Sequence, residues 1–160
     1  MSEIQVRAAR PADESSVLEL VRTEMEIQAD GDPRFRLRPD APNRYALYLR
    51  KRMEENDSTV FVAEIDGRVV GTATASIRIQ EAFFEVRRFG YVSDLVVDPG
   101  ARRCGVGRAL WRRATLWFRG LGVSVVRLHI AAQSEASDHP VAHLQFSAPT
   151  APHKKTCCAE

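Results

Sequence analysis

Cysteine is scarce in this chain: of 160 residues only three are cysteine, one at 104 and two adjacent at 157 and 158. That pattern builds no disulfide framework and fits a reducing compartment. No run approaches the ~18 apolar residues of a membrane span. The opening Met1-Ser2-Glu3-Ile4-Gln5-Val6-Arg7 has no apolar block of the secretory kind. A cytoplasmic protein with no membrane partner is expected. Excess charge is also missing, since 23 basic against 21 acidic residues leave a net charge of +2, too little to mark the whole chain as a nucleic-acid binder. Lysine is nearly absent, three against 20 arginines, and between Pro99 and Ser134 there is no acidic residue at all. No internal repeat is visible.

What is present describes one domain. At this length folding buries roughly 70% of the unfolded surface. Ile4, Val6 and Ala8 alternate with polar residues as in a short strand, and Pro11-Ala12-Asp13-Glu14 opens a helix whose apolar stripe is Val17, Leu18, Leu20, Val21, Met25 and Ile27. Residues 30 to 42 hold Gly31, three prolines, and Arg34, Arg36 and Arg38 around Phe35 and Leu37, which reads as a loop. Asn43 is placed to cap a second helix that ends near Glu55. Asp66-Gly67 between two β-rich runs is the clearest hairpin signal, because both residues tolerate the positive φ of a type I′ turn. A strand at 91 to 97 follows. Val106, Leu110, Ala114, Trp117, Phe118 and Leu121 then recur at helical spacing, and a last strand runs over 123 to 130.

Chemistry concentrates between these last two strands, in Leu95-Val96-Val97-Asp98-Pro99-Gly100-Ala101-Arg102-Arg103-Cys104-Gly105-Val106-Gly107-Arg108. A helix start carries unpaired N–H groups and partial positive charge, and Gly105 and Gly107 remove side chains that would keep a diphosphate away. Neither the Walker loop nor the Gly-x-Gly-x-x-Gly fingerprint is met, so an ordinary glycine-bearing turn is the competing reading. Seven arginines between 102 and 127 with no acidic residue among them favour a polyanionic ligand. Nucleic acid is not expected, because no stacking aromatics interleave these arginines.

Arg102-x-x-Gly105-x-Gly107, after the strand ending Leu95-Val96-Val97-Asp98-Pro99 and before an amphipathic helix, resembles the acetyl-coenzyme A signature of the GNAT N-acetyltransferase superfamily. The upstream hairpin, with Val62-Ala63-Glu64 and Val69-Val70-Gly71, and the N-terminal strand with two helices extend the likeness over about residues 3 to 133. The resemblance implies an α/β (α+β) fold, a mixed twisted sheet flanked by helices, with acetyl-CoA as co-substrate and no metal. Leu95, Val96 and Val97 would pair with the pantetheine arm, and a backbone N–H near Val96 would polarise the thioester carbonyl. Arg102, Arg103, Cys104, Gly105, Val106, Gly107 and Arg108 would hold the pyrophosphate. The acetyl group would pass directly to the amine of a small molecule or peptide. For the proton that the amine must lose, the candidates are Asp94 and Glu64. The alternative is an acyl-CoA-binding module that transfers nothing. The loop arginines 34, 36 and 38 would suit an acceptor with a carboxylate or phosphate, or simply form a solvated charged loop.

The likeness stops near residue 135. Where the resembled family carries a further helix with an aromatic, often a Tyr that protonates the leaving thiolate, and then closing strands, this chain has no tyrosine after Tyr91 and no glycine after Gly122. Residues 139 to 150 show neither helical nor strand period. The division expected is a domain over 1–135 and an atypical, loosely ordered tail over 136–160, whether a native ending or one shifted in reading frame. His139-x-x-x-His143 and His153-x-x-x-Cys157-Cys158 match no compact zinc spacing, so no metal is expected there. With closing strands doubtful, the strand at 123 to 130 would be left with a bare edge, a route to a homodimer.

Overall fold

The computed structural model describes residues 3–129 and 143–147. His139, His153, Cys157 and Cys158 lie outside them, as does most of the expected tail. Strands β1 (Gln5–Ala8), β2 (Ser58–Ile65), β3 (Arg68–Ile79), β4 (Arg88–Val97), β5 (Val125–His129) and β6 (His143–Ser147) form one sheet in that order. All pairs are antiparallel except β4 with β5. Helix α3 (Val106–Gly120) makes the crossover that a parallel pair requires. Helices α1 (Glu14–Gly31) and α2 (Ala41–Glu54) pack against the other face.

Period-2 alternation sorts the two cores, with the faces exchanged once along β4 by an irregularity in its register between Val92 and Val96. Phe61, Ala63, Ala73, Ala75 and Val92 face α3, where they meet Val106, Leu110, Ala114 and Phe118. Val60, Val62 and Val96 face Val17, Leu20, Val21 and Leu49 of the two N-terminal helices. Close approach of α3 depends on Gly90, where a Cβ would stand 2.8 Å from the Phe118 ring. The hairpin turn is as the sequence indicates, with φ of +51° at Asp66 and +77° at Gly67.

Three local expectations change. Helix α2 starts at Ala41 with Pro42 in its first turn, not at an Asn43 cap; proline has no N–H to lose there and its φ already suits a helix. Ile27 is 44% exposed and not part of the α1 stripe. Within the stretch expected to show no strand period, His143-Leu144-Gln145-Phe146-Ser147 does alternate polar with apolar residues, and it pairs in antiparallel register from Val125↔Ser147 to His129↔His143. Strand β5 therefore has neighbours on both sides. The alternation spans five residues only, too short to show as a period over 139 to 150.

Candidate active site

Strand β4 is shared between two neighbours for only part of its length. It pairs with β5 at Gly90, Tyr91 and Val92 and no further, while β3 accompanies it to Val97. The β3 register jumps from Thr74↔Ser93 to Thr72↔Val96, so Asp94 and Leu95 bulge out opposite Ala73. Asp94 takes a left-handed φ of +51°, a conformation that aspartate tolerates better than most side chains. A bulge bends its strand and increases local twist. From residue 93 to 97, β4 thus has β3 on one side and, among the described residues, no strand on the other, where an extended amide-bearing chain can be added as a strand is.

Below that edge, the turn into α3 is built from short polar contacts. Asp98 accepts from Gly100 N at 2.8 Å and from Arg68 Nη2 at 2.8 Å, which fixes the single 3₁₀ turn of Pro99–Ala101. Arg103 and Gly105 are both left-handed, at φ +64° and +92°. Successive turns of this kind aim backbone N–H groups into a common hollow. An open concavity of about 620 Å³ lies there, lined by Arg103, Cys104, Gly105, Gly107 and Arg108. Neither glycine is required by packing: a Cβ on Gly107 would come no closer than 3.8 Å to Val97, and on Gly105 no closer than 4.0 Å to Ile4. At Gly105 the positive φ also disfavours any side chain. A hollow at a helix N-terminus, open where a Cβ would stand and flanked by two exposed arginines, fits a diphosphate.

The other expected members of this segment occupy different places. Val106 is buried in the core, so only its backbone can face a ligand. Arg102 donates to Val97 O at 3.3 Å and pairs with Glu24 at 3.0 Å, tying the loop to the strand and to α1, and it does not line the concavity. Cys104 is exposed.

Asp94 sits at the bulge beneath the splay. Ser93 Oγ donates to its Oδ2 at 3.2 Å and Tyr48 Oη at 3.4 Å, and the two hydroxyls are 3.5 Å apart. Burial raises the Asp94 carboxyl above the ordinary carboxylate range, and the hydrogen bonds from Ser93 and Tyr48 hold back part of that rise. The Tyr48 phenol is raised in turn, by burial and then by the Asp94 charge. Tyr45 packs on Tyr48 with ring centroids 5.4 Å apart. Both tyrosines come from α2, which sequence reasoning did not connect with the site; the available signal was their i, i+3 spacing, which places them on one helix face. Glu64 is not brought to this place. It is bound by Arg7, which also grips Asp13 at 2.7 Å, and it lies on β2, separated from β4 by β3.

The site thus lies where an open mixed sheet, splayed at a central bulge, meets a glycine-bearing helix start. The sequence profile of the acetyltransferase (GNAT) family matches residues 20–143, and the chain belongs to that family. Its fold is similar to that of the predicted acetyltransferase of Clostridium acetobutylicum with acetyl-CoA, at 16% identity and TM-score 0.66, over 79% of this chain and 80% of that one. The GCN5-related N-acetyltransferase of Ralstonia eutropha aligns at 22% identity and TM-score 0.64, over 80% and 84%. The acetyltransferase of Trypanosoma brucei aligns at 26% identity and TM-score 0.54, over 79% and 82%. No curated protein matches the sequence.

Proposed function

We propose that this chain transfers an acetyl group from acetyl-CoA directly to an amine. The observation that carries this reading is the continuity of the open β4 edge at 93–97 with the hollow at 103–108, a track with an amide-pairing strand at one end and a diphosphate cradle at the other. Backbone groups of Leu95, Val96 and Val97 take up the pantetheine amides, and an N–H near Val96 stabilises negative charge developing on the thioester oxygen, a contribution commonly of about 3–4 kcal/mol. Arg103, Arg108 and the N–H groups of residues 103–108 hold the diphosphate. Asp94 accepts the amine's proton. An alkyl amine with a pKa near 10 is only about a thousandth neutral at pH 7, and a carboxylate raised by burial is the better base for that task.

Titration with acetyl-CoA tests the reading. At a ligand concentration 100 times the dissociation constant the chain should gain about 2.7 kcal/mol of stability, and release of free thiol should then depend on an added amine. No thermal shift at millimolar acetyl-CoA defeats the proposal. Binding without thiol release across an amine panel would instead leave a non-catalytic acyl-CoA module, the reading favoured by the lack of any tyrosine after Tyr91.

A further inference from the structure

The β3–β4 hairpin reaches past the rest of the sheet. Pairing of β2 with β3 ends at Ser58↔Ser76, and pairing of β4 with β5 begins at Gly90↔Val126. Among the described residues, Arg78 and Ile79 therefore have only Phe89 and Arg88 beside them in the sheet. The ladder continues from Gln80 N to Arg87 O at 2.8 Å, and Phe84 N to Glu81 O at 3.2 Å closes the tip. Long side chains brace the base of this arm. Arg127 donates to Gln80 Oε1 at 3.1 Å and lies 4.0 Å from the Phe89 ring centroid, Gln80 donates to the Val86 carbonyl, and Arg88 donates to the Leu121 carbonyl at 3.0 Å. The arm is thus fixed before anything docks on it, which lowers the ordering cost of association.

What the arm presents is apolar. Ile79, Phe83, Phe84 and Val86 are 74%, 80%, 48% and 44% exposed, and the two phenyl rings lie 4.7 Å apart. Exposed apolar residues are ordinary when scattered singly, but four within eight residues of one projecting hairpin form a patch.

The charges on the same arm select its occupant. Glu81, Glu85 and Arg87 form no ion pair among the described residues. Glu85-Val86-Arg87 is self-complementary: two copies laid antiparallel about Val86 set Glu85 of each against Arg87 of the other and bring the two valines together. Opposite charges facing across an antiparallel pair are favourable. An anionic lipid surface would instead meet Glu81 and Glu85 on either side of the two phenylalanines, which is the wrong sign.

We propose that the β3–β4 arm is the surface on which two copies of this chain associate, in a two-fold arrangement with Phe83, Phe84 and Val86 at its centre and a Glu85–Arg87 pair on each flank. Strand β5, with a neighbour on each side, does not supply that surface. The arm lies at the opposite end of β4 from the edge at 93–97, so association leaves the coenzyme track free. Four apolar side chains and two charged pairs make a contact smaller than the ~800 Å² per partner of a standard interface, and a reversible dimer is expected.

Sedimentation equilibrium of the full chain, from micromolar to submillimolar concentration, tests this and should show a monomer–dimer equilibrium. Phe83→Glu should weaken the dimer at least about tenfold with the melting temperature unchanged, because the side chain it replaces is exposed. Glu85→Arg and Arg87→Glu should each dissociate the dimer alone, by setting like charges together. An equimolar mixture of those two variants should recover it, since each copy then offers the charge the other lacks. A chain that is monomeric throughout, a dimer unmoved by Phe83→Glu, or a mixture of the charge variants that stays monomeric overturns the proposal. So does a monomer that pellets with phosphatidylcholine–phosphatidylserine vesicles through Phe83, which would assign the arm to a lipid surface. The thermal shift produced by acetyl-CoA should be the same in all these variants, so failure of the interface and failure of the transfer reading are separate results.

Discussion

At Asp94 a cost in stability accompanies the proposed role as base. Its folded-state pKa lies above the unfolded value, so the folded chain holds the proton more tightly and stability falls as pH rises from about 4 through the folded pKa. Asparagine keeps the shape, tolerates the left-handed φ and carries no charge to desolvate. Asp94→Asn is therefore expected to melt at a higher temperature than wild type at pH 7, by a margin that shrinks below pH 4, while kcat drops by about 10²- to 10⁴-fold. Thermal scans from pH 3 to 8 with parallel thiol-release assays measure both. Gly105 carries a separate burden: Gly105→Glu puts a strained side chain and a negative charge into the hollow, so coenzyme binding by calorimetry should disappear, whereas Cys104→Ser should leave affinity within about twofold, since backbone is what the cradle supplies.

Two joints hold the elements together, and they respond to different perturbations. Arg7 of β1 joins Asp13, at the turn into α1, to Glu64 of β2. The hydrogen bond from Arg7 lowers the Asp13 carboxyl below its ordinary 3.8 despite burial. A depressed acid contributes stability that is present above about pH 4 and lost as pH falls through the folded value. Arg7→Met should remove on the order of 1–3 kcal/mol at pH 7 and flatten the acid limb of a stability-against-pH curve, which urea titrations at pH 2.5 to 7 can follow. The second joint is β5 with β6. A chain ending at residue 142 would lose β6 and leave β5 as an edge with unpaired N–H and C=O groups, so light scattering should show species larger than any the full chain forms at the same concentration.

Across the molecule the sheet acts as a wedge. Strands β2 and β3 have neighbours on both sides, whereas β4 among the described residues loses its β5 neighbour after Val92. Filling the opening should stiffen what lies along it: hydrogen exchange with acetyl-CoA present is expected to slow at residues 95 to 110 and to change little in the β2–β3 hairpin. Uniform protection would point to global stabilisation without a seated ligand. Among the described residues no helix is long and apolar enough to cross a membrane.

Local chemistry made much of this legible in advance. Asp66-Gly67 could turn only one way at low cost, the apolar spacing of α3 selected its buried face, and Gly105 and Gly107 pointed to the helix start, where no packing contact requires either of them. Contacts between distant segments were decided by register and packing. Asp94 and Glu64 are equivalent as carboxylates in sequence, yet one is captured by Arg7 and the other meets hydroxyls of an α2 helix 46 residues upstream. The tyrosines at 45 and 48 look like ordinary helix aromatics until α2 docks under the bulge. The alternation of β6 is only five residues long and is hidden in the aperiodic stretch around it, and the splay itself follows from a one-residue bulge whose position depends on how β3 and β4 align across the sheet.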